Sequence, residues 1–265
     1  MKKDRFTKVL LSFPLCLLVI TVGCCVDIGG CGEKEKYERT EHLSAPVPAE
    51  AVLDIETDVG SVNVAGADVT DCNITATICA KAFTEKEAKE LAEQVKLKLE
   101  PVGKTLTVRM EKPLSRRCKR SISIDFEVTV PKQTGLQIES DVGKIRISNT
   151  AGRIQAKTDV GDITCEEISG DIDLKTDVGG VDVAYSKTAP AARDVVISTD
   201  VGSINFTAPP NFSAVVNIAT DVGSIKTDRP IALMGEISRN RLKGTIGTGE
   251  GKLQLTTDVG SIKIR

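Results

Sequence analysis

A short acidic motif recurs along the chain, and its carboxylates are the side chains most able to do chemistry. Thr-Asp-Val-Gly occurs six times and Ser-Asp-Val-Gly once. Glycine- and aspartate-bearing repeats of about nine residues are typical of calcium-binding β-rolls. The Asp and Gly residues of the seven copies are Asp58, Gly60, Asp141, Gly143, Asp159, Gly161, Asp177, Gly179, Asp200, Gly202, Asp221, Gly223, Asp258 and Gly260.

The composition of these repeats favours a structural role over a metal-binding role. Ca²⁺ takes roughly six to eight oxygen ligands, whereas each copy supplies one Asp, and the alternate turns NTAG and EISG supply no regular carboxylate. In a corner, Thr and Asp would satisfy backbone groups, Val would point inward, and Gly would adopt a backbone conformation that other residues resist. We therefore predict structural turns, no metal site and no cofactor, with weak cation binding as the alternative.

Three further acids are the only candidates for catalysis. Asp162, Asp171 and Asp173 are expected to point outward from neighbouring strands. Isolated outward acids usually serve solubility, and a chain without Trp and with few Tyr and Phe offers little surface for stacking sugars. We predict that the protein is not an enzyme; the alternative is a polysaccharide-active or calcium-dependent β-helix enzyme that uses these acids.

The spacing of glycines indicates how the corners are held. Gly143, Gly152, Gly161, Gly170 and Gly179 are nine residues apart, and each opens a strand in which apolar residues alternate with polar ones. The acidic corner recurs every second strand, so the full repeat has two strands and two unlike corners. Parallel stacking explains this, because like corners then lie over like corners. The sequence predicts an all-β fold, a parallel two-sided β-solenoid with a thin aliphatic interior, over residues 136–265.

The part of the chain that precedes these repeats contains strands and one helix. Residues 51–135 complete a single domain that spans 51–265. Apolar residues follow a helical period between residues 84 and 100, with a capping box at Thr84 and Glu87 and a stop at Pro101. This helix is expected to pack near the N-terminal end of the stack.

The N-terminus resembles the export signal of a bacterial lipoprotein. Residues 1–23 contain a basic stretch and then an apolar run too short to span a bilayer. The run ends at Cys24, which we predict is lipidated; Cys31 is the other candidate. The charged residues 24–50 are expected to form a tether. The protein is therefore predicted to be exported and anchored in a membrane through its lipid, facing the periplasm or the cell exterior.

The remaining cysteines and the charge balance narrow the range of partners. Export permits disulfides, and Cys79 and Cys118 are the candidate pair. No cysteine spacing fits a zinc site. With 35 basic and 37 acidic residues, the chain has no excess of positive charge that would favour binding of nucleic acid. No small-molecule substrate is expected either.

The order of motifs resembles that of a known bacterial family. The helix segment FTEKEAKELAEQVKLKLE, the stretch ISIDFEVTVPKQTGLQIESDVGKIRIS and the later TDVGSI copies are similar to the "putative adhesin" family of β-strand-repeat domains, over roughly Val52 to Arg265. The resemblance implies an extracytoplasmic or membrane-associated domain with no established activity or cofactor. The expected function is a non-catalytic envelope lipoprotein that acts as a scaffold or binds an envelope protein or surface polymer.

Overall fold

The computed structural model describes residues 22–23, 34–112, 121–233, 238 and 240–265. Its strands form two eleven-stranded sheets. The first sheet contains, in spatial order, β1 (Val22–Gly23), β2 (Glu35–Pro46), β5 (Asp71–Ala82), β8 (Ser121–Pro131), β4 (Val62–Ala67), β10 (Ile145–Ser148), β12 (Ile163–Ile168), β14 (Val181–Tyr185), β16 (Ile204–Thr207), β22 (Ile262–Ile264) and β18 (Ile225–Thr227).

The second sheet faces the first across a continuous apolar core. It contains, in spatial order, β19 (Ala232–Leu233), β20 (Arg241–Ile246), β17 (Ala214–Val222), β21 (Gly251–Val259), β15 (Asp194–Val201), β13 (Ile172–Val178), β11 (Ile154–Val160), β9 (Gly135–Val142), β3 (Val52–Val59), β7 (Thr105–Glu111) and β6 (Lys96–Val102).

Alternation along each strand separates the core from the surface. In β13, Ile172 and Leu174 are buried between the sheets while Asp173 and Lys175 are exposed. Within each sheet most neighbouring strands run parallel. At each corner the chain passes from one sheet to the other. Within the described residues, the prediction of an all-β, two-sided fold of mainly parallel strands with one helix is confirmed.

Register within the stack follows the eighteen-residue step in its middle part. Ile145 pairs with Ile163, and Ile163 pairs with Val181. Beyond this the connections lengthen, since Val181 pairs with Ile204. The interior therefore forms ladders of aliphatic side chains stacked at the strand spacing of about 4.8 Å.

The spatial order departs from the chain order at both ends of the stack. The pair β3–β4 lies between β7–β8 and β9–β10. The last pair in the chain, β21–β22, lies between β15–β16 and β17–β18. A serial stack, which the repeats in the sequence suggest, would have placed β21–β22 at the end.

The helix is shorter than predicted. Helix α1 spans Glu85–Glu93, and the Thr84 hydroxyl accepts a hydrogen bond from the Glu87 amide at its start. The second half of the predicted 84–100 helix is strand β6, because Lys96, Leu97, Lys98 and Leu99 alternate with period two and pair antiparallel with β7. Pro101 is tolerated there because β6 is the edge strand of its sheet.

Part of the predicted tether is a strand of the first sheet. Over residues 24–50 we expected an unstructured connection, but Glu35–Pro46 pairs with β5 along its whole length. The alternation was hidden in the sequence because two inward positions hold charged residues, Arg39 and Glu41. Helix α1 packs on β2 and β5, and so covers the apolar face that extends beyond the second sheet.

Candidate interaction surface

The seven acidic corners stack at one edge of the molecule. Pairing brings Thr158 beside Ser140 on one side and Thr176 on the other. All seven hydroxyl residues of the motif are buried. In spatial order along the edge they are Thr57, Ser140, Thr158, Thr176, Thr199, Thr257 and Thr220.

The inward threonines bind the backbone of the neighbouring corner. The Thr176 hydroxyl donates to the Gly161 carbonyl at 2.9 Å, and the Thr257 hydroxyl donates to the Gly202 carbonyl at 2.9 Å. At the first corner, by contrast, the buried Thr57 hydroxyl has no hydrogen-bond partner among the described residues. Hydroxyl-to-carbonyl bonds therefore tie successive corners together along most of the edge.

Glycine is required at the end of each corner because the neighbouring backbone approaches closely. A Cβ placed on Gly161 would lie 1.8 Å from the Gly143 carbonyl oxygen, and one on Gly260 would lie 1.8 Å from the Gly202 carbonyl oxygen. No side chain fits at such a distance. The role predicted for glycine is structural, and close packing of corners is a physical reason for it.

The valines of the motif point outward, and the expectation that they point inward is wrong. Their exposed fractions run from 42% at Val59 to 65% at Val222. The inside of the bend accommodates one side chain, the threonine, and the next inward residue comes five positions later, as in Thr158 and Ile163. Asp, Val and Gly therefore wrap around the outside. In spatial order the exposed valines are Val59, Val142, Val160, Val178, Val201, Val259 and Val222.

The aspartates of the motif form a row beside these valines. We call the Asp and Val side chains of the seven corners the TDVG edge. Among the described residues, three of its aspartates have a lysine partner: Asp58 with Lys112 at 3.1 Å, Asp159 with Lys157 at 3.8 Å, and Asp177 with Lys175 at 3.4 Å. Within the described part of the chain, no group of three or more His, Cys, Asp or Glu residues could hold a metal ion.

The outward acids singled out for catalysis are not brought together. Asp162 follows an acidic corner, whereas Asp171 follows one of the alternate corners at the opposite edge, and Asp173 lies on the outer face of β13. The Asp171 carboxylate accepts a hydrogen bond from the Asp194 amide at 3.1 Å. Asp171 and Asp173 lie two residues apart on the same outward side of the chain, and Asp162 lies at the other edge, so the three side chains do not form one shared site.

Asp162 instead holds two neighbouring coils together. Its carboxylate accepts a hydrogen bond from the Gly180 amide at 3.1 Å and lies 3.2 Å from the Lys144 ammonium group. The Gly180 amide and then Lys144 hold the pKa of the Asp162 carboxyl below its usual value. Asp125 makes the equivalent bond to the Ser61 amide at 2.7 Å. No local pattern of residues indicates this bonding, because it depends on pairing between distant segments.

A shallow groove of about 560 Å³ crosses the outer face of the first sheet. Its lining mixes polar and apolar residues, and the Asn63 amide donates to Glu127 at 2.6 Å. At the same level, the His42 ring lies 3.0 Å from the Thr75 hydroxyl. The groove brings together hydroxyl, amide, carboxylate and guanidinium groups, with Arg146 beside Asn63.

The family of the chain follows from its repeat region. A model described as Toastrack DUF4097 matches residues 125–265, which is more than half of the sequence. The chain belongs to the Toastrack DUF4097 family. The matched region of this Toastrack protein contains six of the seven acidic corners. A comparison with curated proteins found no match.

Several solved structures are similar to this Toastrack protein at low identity. A putative cell adhesion protein from Clostridium sporogenes is 16% identical, with 85% of this chain and 98% of that chain covered and a TM-score of 0.46. A putative adhesin from Bacteroides fragilis is 14% identical, with 85% and 97% covered and a TM-score of 0.34. A putative lipid binding protein from Parabacteroides distasonis is 12% identical, with 90% and 99% covered and a TM-score of 0.22.

Only some of the cysteines of the Toastrack protein are among the described residues. Cys24, Cys31 and Cys118 lie outside them, so lipidation and the Cys79–Cys118 disulfide stay predictions. Cys79 is buried in β5, opposite Ser123 of β8. Burial raises the pKa of the Cys72 and Cys165 thiols to about 12.

No helix among the described residues is long and apolar enough to cross a membrane.

Proposed function

We propose that this protein is a non-catalytic binding scaffold of the cell envelope. In this proposal a lipid on Cys24 anchors it to a membrane, and the stack of coils presents its edges and faces to an envelope protein or a surface polymer. Neither nucleic acid nor a small-molecule substrate is a partner. The domain is exported and faces the periplasm or the cell exterior.

The observation that carries the proposal is the way in which the outward acids are used. Asp162 and Asp171 each bind a backbone amide of a neighbouring coil, and they lie at opposite edges of the stack. Catalysis of glycoside hydrolysis by paired carboxylates requires the two groups to flank one bond, within roughly 10 Å of each other, which Asp162 and Asp171 do not do. Asp171 and Asp173 are close together, but the Asp171 carboxylate is held by the Asp194 amide and by Arg193. Acids that hold the coils in register are suited to a rigid scaffold with repeating surfaces.

Metabolic labelling tests the anchor. Cells that express the full chain would be given an alkyne-tagged palmitate, and incorporation would be compared between the native chain, Cys24→Ala and Cys31→Ala. We expect label in the native chain and in Cys31→Ala, and none in Cys24→Ala. Label that is lost in Cys31→Ala and kept in Cys24→Ala would assign the lipid to Cys31. Label in none of the three proteins would contradict a lipid anchor.

Cross-linking in intact cells tests the binding role. The full chain, with a C-terminal affinity tag, would be cross-linked, purified and compared with an unrelated lipoprotein carrying the same tag. We expect a discrete envelope protein or polymer that is enriched with this chain and not with the control. Identical sets of cross-linked material from the two proteins would contradict the proposal.

A further inference from the structure

The TDVG edge carries more exposed apolar surface than a solubility role explains. Its valines stand in single file, and the strands that bear them are in register, so successive side chains lie about 4.8 Å apart and seven corners span about 29 Å. Contiguous exposed apolar patches on soluble proteins commonly mark interaction sites. The regular backbone beneath the valines also holds them rigidly, which lowers the entropic cost of binding.

The C-terminal end of this edge has the least charge compensation. We define the C-terminal ridge as the six side chains of its last three corners, which are Asp200, Val201, Asp258, Val259, Asp221 and Val222. Their valines are 49%, 47% and 65% exposed in that order. The residues that flank these corners along the chain are neutral, namely Ser198, Thr256, Ala219, Ser203, Ser261 and Ser224. The nearest basic residues are on the adjoining strands, where Lys175 is opposite Ser198 and Arg241 is opposite Ala219.

This end differs from the middle of the edge in its ion pairs. Lys157 and Lys175 neutralise the aspartates of two middle corners. Among the described residues, no basic group pairs with Asp200, Asp221 or Asp258. The C-terminal ridge therefore combines a row of valines with a parallel row of carboxylates that form no ion pair among the described residues.

We infer that the C-terminal ridge binds a basic amphipathic helix of a partner protein. The inference rests on the proposed binding role and names the surface and the chemistry of the partner. Carboxylates beside valines select a partner whose cationic groups flank aliphatic ones. A second copy of the chain would bring the same unneutralised aspartates, and an anionic lipid surface would be repelled by them.

The spacing of the valines favours a helix over an extended segment. A helix laid along the edge presents an apolar residue about every 5.4 Å, close to the 4.8 Å step of the strands. An extended segment presents same-face residues only about every 6.6 Å. Helices that dock through one apolar face are a common mode of peptide recognition.

A designed peptide tests the inference. The probe is a fluorescein-labelled helical peptide of Leu and Lys with Leu at the i, i+3, i+4 and i+7 positions. It would be titrated by fluorescence anisotropy with the full chain in phosphatidylcholine nanodiscs, and empty nanodiscs would be the blank. We expect saturable binding that weakens at least tenfold in the triple variant Val201→Thr, Val259→Thr and Val222→Thr, because threonine keeps the branched shape and removes apolar surface.

Two controls make the result specific. Val215→Thr changes a valine that is 51% exposed on the outer face of β17, away from the edge, and should leave binding unchanged. The triple variant Asp200→Asn, Asp258→Asn and Asp221→Asn should also weaken binding and reduce its dependence on salt. A peptide with the same composition in a shuffled order should bind at least tenfold more weakly.

Four outcomes would overturn the inference. They are no saturable binding, equal loss with Val215→Thr, equal binding of the shuffled peptide, and self-association of the native chain that the valine variants abolish in sedimentation velocity. The last outcome would make a second copy the occupant of the ridge. None of them bears on the cross-linking experiment, which would still test the broader binding role by itself.

Discussion

Threonine is the residue that makes the repeated corner a structural unit. Its side chain is the only one in the motif that faces the core, and its hydroxyl donates to the carbonyl of the adjacent corner in several coils. Hydrophobicity alone predicted the opposite, with valine inward. The polar carbonyl inside the bend decides the orientation, since a buried carbonyl without a donor costs free energy.

Substitution of Thr176 should show this role. Thr176→Val keeps the shape but removes the donor to Gly161, so we expect a loss of about 1 to 2 kcal/mol in the free energy of unfolding. Thr57→Val is the matched control, because the buried Thr57 hydroxyl has no partner among the described residues and its loss should be neutral or stabilising. Urea denaturation measures both. Equal losses at the two positions would contradict the role of the hydroxyl bond.

Asp162 should stabilise the fold in a pH-dependent way. Its pKa is lowered in the folded chain by the Gly180 amide and by Lys144, from a usual value of 3.8. A lowered pKa contributes stability that is present above the unfolded value and is lost as the pH falls through the folded value. The native chain should therefore exceed Asp162→Asn in its urea midpoint at neutral pH, and the difference should disappear in acid. A difference that is unchanged in acid would contradict this assignment.

At the scale of elements, strand β2 and helix α1 close the N-terminal end of the core. Arg39 donates to the carbonyls of Ala92 and Val95 at the C-terminal end of the helix, and it pairs with Glu41. Both charged side chains are 7% exposed. A cation at a helix C-terminus is favourable because it satisfies carbonyls that have no partner within the helix.

Breaking this pair should be costly. Arg39→Met leaves Glu41 buried without a partner, and we expect a loss of about 3 to 5 kcal/mol in the free energy of unfolding. The double variant Arg39→Met with Glu41→Leu should recover part of that loss. The control is Lys36→Met, which removes an exposed ion pair with Glu38 on the same strand and should cost at most about 1 kcal/mol. Denaturation curves that give equal losses for Arg39→Met and Lys36→Met would contradict a buried cap.

The elements that the sequence predicted well are those whose pattern is local. The alternating strands of the repeats and the start of the helix at Thr84 followed from period and capping. The end of the helix did not, because Lys96 to Leu99 fits both a helical stripe and an alternating strand, and pairing with β7 decides between them. Strand β2 was missed because Arg39 and Glu41 occupy inward positions that alternation assigns to apolar residues.

At the scale of the whole molecule, the last strand pair of the chain lies inside the stack and not at its end. The pair β21–β22 is the last in the chain, yet it bonds to β15–β16 on one side and to β17–β18 on the other. The corner motifs are nearly identical, so any of them could stack on any other, and the sequence of the repeats contains no signal for this order. The interleaving was therefore beyond prediction from the repeats.

This order determines which surface the TDVG edge presents. Because the last coil is inserted, the valine row runs from Val201 to Val259 and then to Val222, so Val259 lies in the centre of the C-terminal ridge. Removal of the C-terminal coil would leave a gap inside the stack, in contrast to a serial stack, which would only be shortened. The edge thus depends on the fold of the entire chain.

Disulfide cross-linking at the corners tests this arrangement most directly. Val201→Cys with Val259→Cys places two thiols on adjacent strands, about 4.8 Å apart, whereas Val201→Cys with Val222→Cys places them about twice as far apart. Under mild oxidation, with non-reducing peptide mapping to distinguish native cysteines, we expect the first pair to cross-link and the second to remain reduced. Cross-linking of the second pair and not the first would show a serial stack and would contradict the fold described for this protein.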